Sequence, residues 1–270
     1  MMPSKTIADS APRIVHSDDW AALEQVCRPG VLAVIVDGGE PESWEVELAD
    51  SVRRGAFTVQ RCTLNIERPE VLVHEFERCL PSEGLSFETR LALIDDLASL
   101  GEALAQIAGC HALMLRLLTE APSSHCGFHV DTVSTRLPPY GLLKVYNGAG
   151  TRYVNPADVR GNPEFYAYLG RRERLAREWR RAQEEDEQAV AAALRASMAA
   201  LDEALPFLRP DAPVHELRAG STVAFRHLDV SQHWAEHNQA LAWIHCSPMM
   251  GEPRLIANFT PLDAGAGRRR

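Results

Sequence analysis

HALMLRLLTEAP, residues 111–122, running into SSHCGFHVD, residues 123–131, is the stretch whose reading decides the fold. Its first half is a near-continuous apolar run, as a strand buried inside a sheet would be. Its second half ends in H-x-D. Residues two apart in extended chain share a face, so His129 and Asp131 project to the same side of a strand end. A buried strand delivering two metal-ligand residue types to one face predicts a β-rich core with a metal centre at its rim.

Working outward, TVSTRLPPYG, GLLKVYNG and TRYVNP are short strand candidates after Asp131, and VHELRAGSTVAFRHL, LAWIHCSP and RLIANFTP are the later ones. Between the two groups, residues 163–210 are predicted to form a helical insertion. It has an arginine-rich first half, an acidic EEDE middle and a stripe of Val190, Leu194, Leu201 and Leu205, stopped by Pro206 and Pro210. Upstream, SDDWAALEQVC has a candidate N-cap at Ser17, and VLAVIVDGG is a β-branched run closed by glycines. PESWEVELADSVRRG, PEVLVHEFERCL and FETRLALIDDLASLGEALAQIAG carry helical spacing. The expected class is α+β: a double-stranded β-helix, or jelly roll, with an N-terminal helical layer and a helical insertion. The expected division is a flexible start at 1–12, a helix-rich supporting region at 13–110, a catalytic core at 111–262 and a flexible tail at 263–270.

Composition narrows the function classes. The 270 residues are 46% hydrophobic and 24% charged, the balance of a globular chain with a sizeable core. A formal net charge of −9 argues against a surface that grips phosphate backbones, so nucleic acid is not expected as a partner. No apolar run has signal-peptide length or the roughly 18–20 residues of a membrane span, and a cytoplasmic protein is expected. Six cysteines without a C-x-x-C pair indicate neither a disulfide framework nor a zinc ribbon. Cys126 and Cys246 stand apart, each near a histidine of the predicted metal site.

A distant histidine on a neighbouring strand would complete a two-histidine, one-carboxylate facial triad, which leaves adjacent iron positions open for oxygen and a chelating cosubstrate. His245 in LAWIH is the best third ligand, because the strand after it carries Arg254 inside an apolar run. A buried guanidinium offers the planar fork that the far carboxylate of 2-oxoglutarate needs. Asn258 shares the face of Arg254 by its even offset, and Tyr146 is a further candidate for contact with the cosubstrate, though either is equally suited to a packed core.

The order HVD, LLKVYN, GTRYV, AGSTVAF, IHCSP and Arg254 resembles the Fe(II)/2-oxoglutarate oxygenase superfamily, particularly its prolyl-hydroxylase-like branch, over about residues 111–262. A closer similarity is to a bacterial family, domain of unknown function 1826, carried by CGFHVD, NGAGTRYV and IHCSPMMGEPRL. The resemblance implies a jelly roll, iron(II) at His129, Asp131 and His245, 2-oxoglutarate as cosubstrate, O2 as co-reactant, and hydroxylation of a small molecule. A carboxylate ligand occupies the position that a halogenase leaves open for chloride. Two departures from these families are the long interval from Asp131 to His245, attributed to the helical insertion, and Cys246 where the second family tends to have arginine.

Competing readings are a zinc site built from His125, Cys126, His245 and Cys246, a metal-binding protein without turnover, and an iron oxygenase independent of 2-oxoglutarate. His125, His227, His233 and His237 compete with His245 as ligand. The 163–210 insertion is read as core, as a homodimer contact, or as a lid over the site.

Overall fold

In a computed structural model the described residues are 11–66, 72–121, 127–234 and 242–263. His125, Cys126 and His237 lie outside them. Four layers stack in order: helices, a large sheet, a small sheet, and a helical hairpin. The large sheet has seven strands: β1 (Arg13–Ser17), β2 (Val31–Val36), β3 (Cys62–Ile66), β4 (Leu113–Glu120), β6 (Tyr140–Val145), β9 (Thr222–Arg226) and β12 (Arg254–Pro261). Their spatial order is β1-β2-β9-β6-β12-β4-β3, antiparallel except for the β1–β2 pair. The small sheet is β11 (His245–Cys246), β7 (Arg152–Tyr153) and β8 (His215–Glu216). A separate parallel pair joins β5 (Thr132–Val133) to β10 (Leu228–Asp229).

Period-two alternation assigns each strand face. On β4, Leu113, Leu115 and Leu117 join Leu255, Ala257 and Phe259 of β12 in the core under the first helical layer. That layer is α1 (Ser43–Arg53), α2 (Leu72–Cys79) and α3 (Phe87–Ala108). Helix α3 contributes Leu93, Leu97, Leu100 and Leu104, each worth about 1.5–3 kcal/mol when fully buried. Ser86 caps it by accepting from the Thr89 N–H, and Gly109, at φ 59°, ends it in the left-handed conformation that suits glycine. The opposite face of the large sheet, with Leu143, Val145, Val223 and Phe225, meets Tyr153, Leu217 and Trp243 in a core between the sheets.

Several expectations need correction. The SDDWAALEQVC segment is a 3-10 helix at Trp20–Cys27, capped by Asp19 through the Ala21 N–H; Ser17 instead ends a strand. Strands β1 and β3 lie in the 13–110 region read as helix-rich, because short edge strands carry too few residues to show alternation. The 163–210 insertion is two helices, α4 (Asn162–Glu184) and α5 (Gln188–Ala204), broken at the acidic EEDE where Asp186 takes φ 56°. Its inward face is Ala191, Met198, Leu201, Asp202 and Leu205, whereas Val190 of the expected stripe is exposed. The α+β class stands, although the strands divide seven to three between the sheets.

The hairpin packs on the outer face of the small sheet, where Phe165, Tyr168, Leu201 and Phe207 bury Phe128, Ile244 and Cys246. One buried polar network fastens it there. Asp202 accepts from Arg172 Nε at 2.8 and 2.9 Å and from the Tyr168 hydroxyl at 2.6 Å. The Tyr168 oxygen in turn accepts the Phe128 N–H at 3.1 Å. Gly127 is required beside it, since a Cβ there would come within 2.0 Å of Arg172 Nε.

Removing one partner of a buried ion pair costs about 3–5 kcal/mol, because the other charge stays buried. Asp202→Ala is therefore expected to lower the unfolding free energy by about that amount, and Tyr168→Phe by about 1 kcal/mol. Urea denaturation measures both. A midpoint unchanged by Asp202→Ala would show that the network does not fasten the hairpin.

Candidate metal centre

The hairpin network reaches the site through one peptide bond. Phe128, anchored on Tyr168, precedes His129 in a segment where Phe128 and Val130 face the hairpin core while His129 and Asp131 turn inward. From the other side of the small sheet, Trp243 and His245 face inward and Ile244 and Cys246 outward. The two segments are joined directly: the His129 N–H donates to the His245 carbonyl at 2.9 Å, and the His245 N–H to the His129 carbonyl at 3.0 Å. The Leu228 N–H donates to the Asp131 carbonyl at 2.8 Å, which fixes the Asp131 backbone.

This brings His129, Asp131 and His245 together, with ligand atoms all within 4.8 Å of one another. His129 Nε2 lies 3.7 Å from Asp131 Oδ1, and His245 Nε2 lies 3.8 Å from Asp131 Oδ2. Each imidazole has its Nδ1 against a backbone carbonyl, Gly127 at 2.9 Å for His129 and Trp243 at 3.1 Å for His245. Nδ1–H donation to those carbonyls leaves both Nε2 lone pairs facing Asp131, the tautomer a metal requires. The Trp243 ring stacks on His245 at 4.3 Å and 15°, holding its plane. Two imidazoles and one carboxylate, with no fourth His, Cys, Asp or Glu in the cluster among the described residues, suit an open divalent-iron site.

Electrostatics favour the same state. Burial pushes the His245 imidazole down to about 4, with repulsion from His129 adding to the shift, so it is neutral near pH 7. Burial alone would raise the Asp131 carboxyl. His245, His129, His227 and Arg116 outweigh it and hold the group below its ordinary value. His227 is likewise pushed down to about 4 by burial.

Of the other predicted residues, Arg254 and Asn258 line the same cavity of about 290 Å³ as the triad. Arg254 is 1% exposed and already engaged. Its Nε and Nη2 donate to Glu120 Oε1 at 3.1 and 2.5 Å, and its Nη1 to the Ala149 carbonyl and Thr151 Oγ1. Tyr146 is a correction: it lies on the opposite face of the large sheet, in the core under α3, with its hydroxyl donating to Asp96 at 2.7 Å. The one-residue step from Val145 turns it away from the cavity. Cys246 faces the hairpin core, so the described residues do not assemble the zinc set. His233 packs against Tyr166 and Trp234, apart from the cluster. Among the described residues, none of α4 or α5 lines the cavity.

Reading the sequence alone missed Arg61, Arg116, Glu120, Thr151 and Ser247 on the cavity wall. Alternation along β4 was the available signal, since Arg116, Leu118 and Glu120 must share one face.

Residues 17–257 match the family model described as "Protein of unknown function (DUF1826)", and the chain belongs to that family. Among solved structures it is similar to a dioxygenase for auxin oxidation from rice, at 14% identity and TM-score 0.41, covering 93% of this chain and 83% of that one. It is also similar to the Kdo hydroxylase KdoO, described as a non-heme Fe(II) alphaketoglutarate dependent dioxygenase. The apo form gives 12% identity and TM-score 0.36, covering 92% and 88%. The cobalt(II) complex gives 11% and 0.36, covering 91% and 88%. At such identities and TM-scores these likenesses carry no weight for function. No curated protein matches. No helix among the described residues is long and apolar enough to cross a membrane.

Two outcomes are expected. His129→Ala, Asp131→Ala and His245→Ala should each lose bound iron(II), measured by metal analysis after reconstitution; full occupancy in all three would exclude this centre. The second concerns acid stability. A histidine held near 4 in the folded state and near 6.5 unfolded stabilises fully above the unfolded value and loses that contribution as pH falls toward the folded one. With His227 and His245 both so shifted, chelator-treated protein should lose on the order of a few kcal/mol between about pH 7 and about pH 5, read by urea unfolding. A stability that is flat across that window would mean both imidazoles titrate as they do in water.

Proposed function

We propose that this chain is a non-haem iron(II)- and 2-oxoglutarate-dependent oxygenase that hydroxylates a C–H bond of a small molecule. The observation that carries the reading is the convergence of His129 Nε2, Asp131 and His245 Nε2 on one cavity that also contains a buried guanidinium, Arg254. Three ligands on one side leave positions for a bidentate cosubstrate and for O2, which a closed four-ligand zinc site would not. Iron(II) held there would activate O2, the oxidant, with 2-oxoglutarate as co-reductant taking one oxygen atom to leave as succinate and carbon dioxide and the other going to the substrate C–H.

The residues have separable tasks. The two Nδ1 contacts and the Trp243 stack orient the ligands, Asp131 supplies the negative charge, and the apolar walls Leu118, Leu143 and Ile256 keep bulk water from the reacting carbon. Arg254 takes the far carboxylate of 2-oxoglutarate, which must replace Glu120 at the guanidinium. Asn258 lies on the same strand face and lines the same cavity. The way the chain alternates between sheets, β4, β6, β9 and β12 in the large one and β7, β8 and β11 in the small one, supports a double-stranded β-helix.

A second reading, an iron oxygenase that does without 2-oxoglutarate, is favoured by the same Glu120 contact, because the Arg254 fork already holds a carboxylate. Turnover separates the two. Iron(II)-loaded protein with ascorbate should convert 2-oxoglutarate to succinate slowly even without a primary substrate. Arg254→Ala should raise the KM for 2-oxoglutarate at least about tenfold, the loss of roughly 1.4 kcal/mol of binding. Glu120→Gln should lower it. Oxygen consumption with no succinate formed, at a rate independent of added 2-oxoglutarate, would select the second reading.

A further inference from the structure

The cavity has two polar ends, and only one is internally neutralised. Along β4 and β12 the register sets Arg254 opposite Glu120, Ile256 opposite Leu118, and Asn258 opposite Arg116. Four residues separate Arg254 from Asn258, roughly 13 Å at the rise of a strand. The Arg254 end is closed by its ion pair with Glu120, an apolar belt of Leu118 and Ile256 lies between, and Leu143 sits opposite Asn258 at the far end.

At the other end, Arg116 Nε and Asn258 Oδ1 are both buried and neither has a hydrogen-bond partner. Thr63 of β3 pairs with Arg116, and Arg61, just before that strand, lines the same cavity and brings a second guanidinium. Among the described residues no carboxylate forms an ion pair with Arg61 or Arg116, although six other arginines and Lys144 have such pairs. Arg116 helps to hold down the carboxyl of Asp131. That charge is directed at the metal. A buried donor and a buried acceptor left open side by side, in a wall that carries excess positive charge, are the signature of a polar ligand that completes them.

We propose that Arg116 and Arg61, with Asn258 beside them, hold the carboxylate of the primary substrate, so that the enzyme acts on a small organic acid. This rests on the oxygenase reading above. The two anions then separate by end, the cosubstrate at Arg254 and the substrate at Arg116, with the apolar belt against the carbon chain between. A planar carboxylate matches the guanidinium fork, and the cavity of about 290 Å³ limits the acid to a small one.

The test is calorimetric titration of zinc-substituted protein, saturated with 2-oxoglutarate, with butyrate, with neutral butyramide and with inorganic phosphate. Butyrate should bind and butyramide should not. Arg116→Gln should weaken butyrate at least about tenfold, and Arg116→Lys by less because it keeps the charge without the fork. The proposal is overturned if no butyrate binds, if butyramide binds as well as butyrate, if Arg116→Gln binds like the parent, or if phosphate is preferred. Arg116-dependent butyrate binding by protein that takes up no 2-oxoglutarate would sink the oxygenase reading while leaving the anion site standing.

Discussion

The pair of backbone hydrogen bonds between His129 and His245 is the constraint on which the site depends. It joins two short segments far apart in sequence, and neither could hold a ligand geometry alone. Two-residue strands supply little cooperativity, so the register has to be enforced from outside. The Asp202, Arg172 and Tyr168 network does this on one side, gripping the backbone one residue before the first ligand. The core of Val223, Phe225 and Trp243 does it on the other. Ligand placement is thus a consequence of packing on both faces of a small sheet.

Electrostatics follow from the same enclosure. Burial keeps His245 unprotonated, and its neighbours hold the Asp131 carboxyl below its ordinary value despite that burial, so these two side chains are in the protonation states a metal needs before one arrives. Preorganisation of this kind reduces the reorganisation cost of binding. It also concentrates acid sensitivity in the region where the chemistry is proposed.

Much of this was legible in the sequence, for identifiable reasons. His129 and Asp131 could be placed because two-residue spacing in extended chain has one geometric meaning. His245 could be chosen because an arginine followed it on an apolar strand. Tyr146 failed because its strand is buried on both faces, so an apolar run gave no indication of which residues point to the cavity. The Glu120 partner of Arg254 was hidden for a different reason. Cross-strand pairing between β4 and β12 joins residues 134 apart for this pair and leaves no local pattern. The hairpin's role was equally hidden, since helical periodicity identifies an apolar face but not the surface it covers.

The break between α4 and α5 at Asp186 has a consequence for how the chain can be modified. The turn is exposed, and it belongs to the outermost layer, on the side of the small sheet away from the cavity. Loop tips of this kind tolerate added chain, whereas the helix faces below them do not. The hairpin is therefore a natural attachment point: a reporter or tether grafted at its tip would leave the cavity mouth clear, while shortening its arms would strip the cover from the back of the sheet that carries the ligands.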